Sequence, residues 1–327
     1  MPLKVLIVTP APPGSRHGNR HTAMRWARHL RADGHAVDIV TEAAEVPARR
    51  SFDLMIALHA RKSAASITAW KSKPDRPLIL ALTGTDIYGD IHDNAQAQAS
   101  LKLADRLIVL EEEGMTELNA AQQRKARVIY QSVRPLQRLD PPTSYVLITV
   151  IGHLREVKDP FRAALALAHL PARSRVRVVH LGAALDEAMA QRARNHALAD
   201  KRYRWLGDLP HGDAMRWLAR SHAMVISSRI EGGAHVVSEA IAAGVPVLAS
   251  RIPGNIGLLG AAYPGYFPFG DDAALAELIM RIETDKRFNL LLARAVSAQR
   301  HLVDAGAERG ALNELVEETA RGAAAGA

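Results

Sequence analysis

Two glutamates eight positions apart, Glu231 and Glu239, flank a segment suited to an anionic ligand. The stretch EGGAHVVSE sets Gly232 and Gly233 directly after the first carboxylate, with Ala234 and His235 opening a helical pattern. Adjacent glycines let a backbone approach a ligand closely, and the first turn of a helix offers unpaired N–H groups carrying partial positive charge. A diphosphate fits such a terminus. An ionised carboxylate only accepts hydrogen bonds, so Glu231 suits the hydroxyls of a sugar and Glu239 those of a ribose. An ordinary strand-to-helix turn with two solvated glutamates satisfies the same pattern.

Other chemistry-bearing residues fall in three loops. GHLREVKDP carries Gly152, His153, Arg155 and Lys158, either as cations for phosphate oxygens or as a solvated basic loop. TPAPPGSRHGNR places Arg16, Gly18, Asn19 and Arg20 before a helix, again an anion-friendly arrangement. ALHARKS and LTGTDIYGD add His59, Arg61, Lys62, Thr85 and Asp86. Each cation alone is an ordinary surface residue; together, around loops at strand ends, they make an anion pocket. His59 is either packed or functional, and Asp86 either orients that pocket or caps a turn. His17, His21, Asp90, His92 and Asp93 do not have the spacing of a metal motif, so no metal site is expected.

The elements that must position these loops alternate. Strand-like runs at Lys4–Thr9, Ala36–Thr41, Leu54–Leu58, Leu78–Leu82, Arg106–Leu110 and Val128–Tyr130 are separated by helical or loop stretches, which predicts βα units and a parallel sheet. Pro135, Pro141 and Pro142 mark a break, and a second series opens at Tyr145–Ile151. It continues through Arg175–Leu181, Tyr203–Leu206, Ala223–Ser227 and Val245–Ser250, with a helix over Val236–Ala243 stopped by Gly244. The expected architecture is α/β: two doubly wound Rossmann-like domains facing a central cleft, residues 1–140 and 141–300. A helical tail, 301–327, packs back on the first domain. Ligands of such sheets bind beyond the carboxyl ends of the strands.

Composition narrows the partners. The 327 residues are 48% hydrophobic and 23% charged, ordinary globular usage, and no apolar run is long enough to span a bilayer. The start MPLKVLIVTPAPPG lacks a small-residue cleavage site, so cytoplasmic retention is expected. With no cysteine there is no disulfide, thiolate nucleophile or cysteine-held metal. A formal charge of +8 favours anionic partners, but 5% aromatics and no interleaved basic and aromatic strand argue against nucleic acid. Arg20–Arg31 reads as a basic helix, either amphipathic on an anionic membrane or packing Trp26 and Leu30 inward; the second is preferred, so no membrane contact is expected.

EGGAHVVSE and its continuation AIAAGVPVLAS resemble the E-x7-E signature of the family 4 glycosyltransferases of the GT-B kind. The resemblance implies Glu231 at the donor sugar, Glu239 at the ribose, and Gly233, Ala234 and His235 near sugar and diphosphate. It also implies Lys158 and Arg155 at the diphosphate, with Gly152, His153, Leu206 and Arg229 lining the donor. Many relatives have an aromatic residue between the two glycines and an arginine at His153, and this chain departs from both. PAPPGSRHGNR, with ALHARKS, LTGTDIYGD and GHLREVKDP, closely resembles the selenosugar synthases of the selenoneine pathway, the SenB proteins, over the whole chain. That resemblance implies transfer from a UDP-sugar, UDP-N-acetylglucosamine or UDP-glucose, to selenophosphate, forming a carbon–selenium bond without cofactor or metal. His59, Lys158 and Glu231 are then the catalytic candidates, and Arg16, Gly18, Asn19, Arg20, Arg61, Lys62, Thr85 and Asp86 the acceptor-binding ones. A hydroxyl acceptor, a non-catalytic sugar-nucleotide binder and a UDP-sugar epimerase are the alternatives.

Overall fold

A computed structural model describes residues 2–15, 18–47, 49–73, 75–84 and 86–325. The chain forms two compact units, one of residues 1–132 with 304–327 and one of 133–303. In chain order the first carries β1 (Lys4–Val8), α1 (Gly18–Ala32), β2 (Ala36–Val40), β3 (Leu54–Leu58), α2 (Ala64–Lys71), β4 (Leu78–Leu82), α3 (Ala95–Leu103), β5 (Arg106–Val109), α4 (Ala120–Arg124) and β6 (Ala126–Val128). The second carries β7 (Val146–Ile151), α5 (Arg162–Ala166), β8 (Val176–Leu181), α6 (Glu187–Ala199), β9 (Tyr203–Trp205), α7 (His211–Ala219) and β10 (Ala223–Ile226). It goes on through α8 (His235–Ala243), β11 (Val247–Ser250), α9 (Pro253–Leu259), β12 (Tyr266–Phe267), α10 (Asp272–Thr284) and α11 (Lys286–Ala298). The chain then returns to the first unit as α12 (Ala305–Ala325).

Each unit holds a six-stranded parallel sheet, ordered β2-β1-β3-β4-β5-β6 in the first and β12-β11-β10-β7-β8-β9 in the second. The strand order reverses between β1 and β3 and between β7 and β10, and at such points a parallel sheet opens a crevice beyond its carboxyl edge. Both faces are covered, so the strands read as nearly continuous apolar runs. In the first unit Val5, Ile7, Leu54, Ile56 and Ile79 meet Trp26 and Leu30 of α1 and Leu312, Leu315 and Val316 of α12. The alternate residues Leu6, Val8, Met55, Leu80 and Leu107 meet Ile67 and Trp70 of α2 and Leu101 of α3. Trp26 and Leu30 are fully buried, so α1 uses its apolar face inside the unit.

The observed elements differ from the sequence expectations in three places. The sixth strand lies at Ala126–Val128, two residues before the expected run, because Leu107 N donates to Lys125 O and sets the register earlier. The proline segment after Ser132 belongs to the second unit: Leu139 N donates to Ala219 O, and Arg138 donates to the carbonyls of Ala219 and Ser221. Residues 86–90 form a π-turn that apolar periodicity does not announce.

Glu308 joins α12 to the rest of the first unit. It is 3% exposed and accepts from Arg25 Nε at 2.9 Å, Trp26 Nε1 at 2.8 Å and the Ser132 amide at 3.0 Å. Ser132 Oγ also donates to it, and His29 Nε2 lies at 3.3 Å. Burial alone raises a carboxyl, but the bonds from His29, Ser132 and Trp26 and the charge of Arg25 outweigh it and hold this one at about 2. The folded value lies below the ordinary 4.5, so the stabilisation is complete above pH 4.5 and is lost as pH falls toward 2. Glu308→Ala is expected to lower the unfolding free energy by about 3–5 kcal/mol, since it strands a buried guanidinium. In urea titrations at pH 2.5 and 5, Glu308→Gln should lose less stability on acidification than the parent; an equal loss would refute this role.

Candidate active site

In the second unit, the loops after β7 and β10 meet at the point of strand reversal. Lys158 Nζ pairs with a Glu231 carboxylate oxygen, to which Ser228 Oγ also donates at 2.5 Å. The same two loops are tied again by Arg229 N, which donates to Val157 O at 2.9 Å, and by Ser227 Oγ, which donates to Asp159 O at 2.8 Å. Asp159 takes a left-handed conformation, φ 44°, to end the short turn that carries Lys158. A small hollow beside this pair is lined by Gly152, His153, Lys158, Ser227, Ser228 and Val236. Gly233, at φ 114°, leads into Ala234 and α8, whose first turn receives no side-chain cap.

Glu239 sits in the second turn of α8, with His211 Nε2 3.5 Å from its carboxylate. Burial first, then the charge of Arg134, lowers the His211 pKa. Leu206 donates its amide to His180 O at 2.9 Å, placing it at the end of β9. His153 Nδ1 accepts from the Ala183 amide at 3.0 Å, so Nε2 carries the proton. Arg155 and Arg229 are exposed and lie outside the hollow lining.

Three supports of this edge carried no signal in the motifs. His180 is fully buried, and burial pushes its imidazole down to about 4, so it is neutral. Its Nε2 lies 3.2 Å from Gly152 O and its Nδ1 2.9 Å from the Tyr203 hydroxyl, so the ring donates to the carbonyl and accepts from the phenol. A Cβ on Gly182, at φ 151°, would lie 2.0 Å from Gly152 O, and one on Gly254 would lie 1.9 Å from Glu231 O. Only glycine permits either approach.

In the first unit, Thr9, His59 and Thr83 follow β1, β3 and β4 and share one carboxyl edge. His59 is 2% exposed and has φ 75°, a conformation rare outside glycine. Its Nδ1 lies 3.4 Å from the Lys62 amide and 3.8 Å from Asp86 Oδ2. Asp86 is fully buried and accepts from the amides of Ala60 and Gly84, each at 2.9 Å, so it ties the loop after β3 to that after β4. Gly18 opens α1, followed by the half-buried Asn19 and Arg20. Thr9 Oγ1, Thr83 Oγ1 and the Nε and Nη1 of Arg20 are buried without a hydrogen-bond partner among the described residues. Arg61 and Lys62 are exposed, while Arg16 and Thr85 lie outside the described residues. Among the described residues no three metal-ligating side chains gather, and no helix is long and apolar enough to cross a membrane.

Glu111, just beyond β5, was not foreseen. It is 1% exposed and accepts from the Tyr88 hydroxyl of the π-turn at 2.5 Å and from the Gly114 amide at 3.2 Å. Burial exceeds these bonds and pushes its carboxyl up to about 7.

Residues 136–301 match the model of the family described as glycosyl transferases group 1. No curated protein sequence matches the chain. Among solved structures it is similar to Anabaena Alr3699/HepE in complex with UDP, at 17% identity over 97% of this chain and 100% of that one, with a TM-score of 0.78. Sucrose-phosphate synthase (tll1590) from Thermosynechococcus elongatus is 16% identical over the whole of both chains, TM-score 0.77. A glycosyltransferase from Rickettsia africae is 13% identical over 96% of this chain and 99% of that one, TM-score 0.71. At these identities the likeness concerns the fold: two Rossmann-like parallel-sheet domains of the GT-B kind.

The Glu111 carboxyl gives a second pH window. Its folded value of about 7 exceeds the ordinary 4.5, so the folded state holds the proton more tightly, and stability falls as pH rises from 4.5 through 7. Glu111→Gln keeps the acceptor for Tyr88 and removes the titration. Denaturant melts should show the parent losing up to ~3 kcal/mol relative to this variant between pH 5 and 8; parallel curves for the two proteins would count against this reading.

Proposed function

The chain belongs to the glycosyl transferases group 1 family, and from that premise we propose that it moves a sugar from a UDP-sugar to selenophosphate, making a selenosugar. The observation that carries the donor half is the meeting of Lys158 and Glu231 beside the uncapped start of α8. In this reading the diphosphate lies against Lys158 and the first-turn amides of α8, Glu231 turns to the sugar hydroxyls, and Glu239 takes the ribose. The choice of UDP draws support from the similar HepE fold, whose structures hold UDP and UDP-glucose. UDP-N-acetylglucosamine and UDP-glucose are the donors to try.

The acceptor half draws support from the first unit. A small anion needs donors, and the edge after β1, β3 and β4 holds the unpartnered hydroxyls of Thr9 and Thr83; Arg16, Asn19, Arg20, Arg61, Lys62 and Thr85 are the further candidates from the sequence. Selenophosphate is already anionic, so no base must first remove a proton. Selenium gives an electron pair to the anomeric carbon as the bond from that carbon to the diphosphate oxygen breaks, and UDP leaves with the pair. The protein's tasks are then alignment and stabilisation of the departing diphosphate, with Lys158 and α8 at the charge that develops. His59, held by its neighbours in a strained conformation, faces the same edge as the acceptor donors.

The test is UDP release from UDP-N-acetylglucosamine with and without selenophosphate, with mass spectrometry for selenium joined to sugar. Release that depends on selenophosphate and yields the selenosugar is expected; release driven instead by a hydroxyl compound, or without any acceptor, would replace this acceptor. Lys158→Ala should lower kcat by about 10²–10³, as removal of an oxyanion donor does. Arg20→Ala should raise the KM for selenophosphate several-fold and leave that for the UDP-sugar unchanged; a change in the donor KM alone would move Arg20 out of the acceptor site.

A further inference from the structure

A second cavity of about 390 Å³ lies in the second unit, away from the loops just described. Its wall includes His222 and Pro246, which immediately precede β10 and β11, so it opens at the amino edge of the sheet, opposite the carboxyl edge that carries Lys158 and Glu231. Its volume is within the range of small-molecule sites, roughly 300–1,000 Å³. Pro246 with Leu290 and Ala293 of α11 gives it apolar walls.

Its polar groups are of one kind, with a single exception. Arg138 is half-buried and has no acidic partner among the described residues; its only bonds go to the carbonyls of Ala219 and Ser221. Lys286 likewise makes no ion pair among the described residues. His222 Nδ1 accepts from the Leu147 amide at 3.0 Å, so its Nε2 carries the proton and is a donor. Burial, then the charges of Arg138 and Arg175, lowers the His222 pKa, as befits a place with surplus positive charge. The exception is Asn289, whose Nδ2 donates to Ile282 O at 2.8 Å while its Oδ1 is buried with no donor among the described residues.

We propose that this cavity binds a small amphipathic carboxylate. The head meets Arg138, Lys286 and the His222 N–H, and the apolar body lies on Leu290 and Ala293. Arg138 gives one hydrogen of each terminal nitrogen to a carbonyl and keeps its other N–H groups, so it meets the head with charge and with hydrogen bonds.

Isothermal titration of the full chain with 4-hydroxyphenylacetate tests this. Saturable one-to-one binding is expected. 4-Hydroxyphenylethanol, which lacks the charge, should bind about tenfold or more weakly. Ala293→Trp fills the cavity and should abolish binding, with circular dichroism showing that it folds. Lys286→Glu changes an exposed position that tolerates substitution and should weaken binding by about tenfold or more. Absence of saturable heat up to about 10 mM in the parent protein, or binding that both variants leave intact, overturns the proposal.

Discussion

A carboxylate taken out of water must be given its hydrogen bonds back, and the first unit is built around one that is. Glu308 brings together α1, the chain leaving β6 and α12, elements too far apart in sequence to find one another by local preference. Loss of one donor would leave the others holding an under-satisfied charge, which is why such a network is worth more than its separate bonds. Once α12 is fixed, Leu312, Leu315 and Val316 can close one face of the sheet. The covered sheet in turn fixes the edge at which Thr9, His59 and Thr83 emerge.

Both units confine chemistry to strand ends for the same reason. Strands buried on two faces leave no room for a charged side chain along their length, so polar groups collect in the loops beyond the carboxyl edge. The two edges are stiffened differently. In the second unit the backbone does it, through the close approaches at Gly182 and Gly254 and the carbonyl that His180 holds at Gly152. In the first unit buried carboxyls do it: Asp86 ties the loop after β3 to that after β4, and Glu111 anchors the π-turn through Tyr88.

The apolar runs made the two sheets legible, because a doubly covered strand must be apolar throughout. The glycine pair and the two glutamates of EGGAHVVSE, and Lys158 of GHLREVKDP, were legible because the loops of a switch point are local in sequence. Glu308, Glu111 and His180 were not. Their roles come from partners brought near by folding: Arg25 lies 283 residues from Glu308, and Tyr88 lies 23 from Glu111. Arg155 and Arg229 are exposed and lie outside the hollow that Lys158 lines, so folding gives them no place beyond the one their motifs suggest. A π-turn has no apolar period of its own, so residues 86–90 could only be seen folded.

The first unit is written in two pieces, with the whole of the second unit between them. A ribosome that has finished Ser132 must add the entire second unit before Glu308 appears, a delay of about 9–35 s at roughly 5–20 residues per second. Through that interval the nascent first sheet lacks α12, and Ser132 and Arg25 wait for their carboxylate. The second unit has no such debt and can complete its own core while translation continues. Newborn chains therefore pass through a state with one finished half and one uncovered apolar face, and that face is where a chaperone or protease would find them.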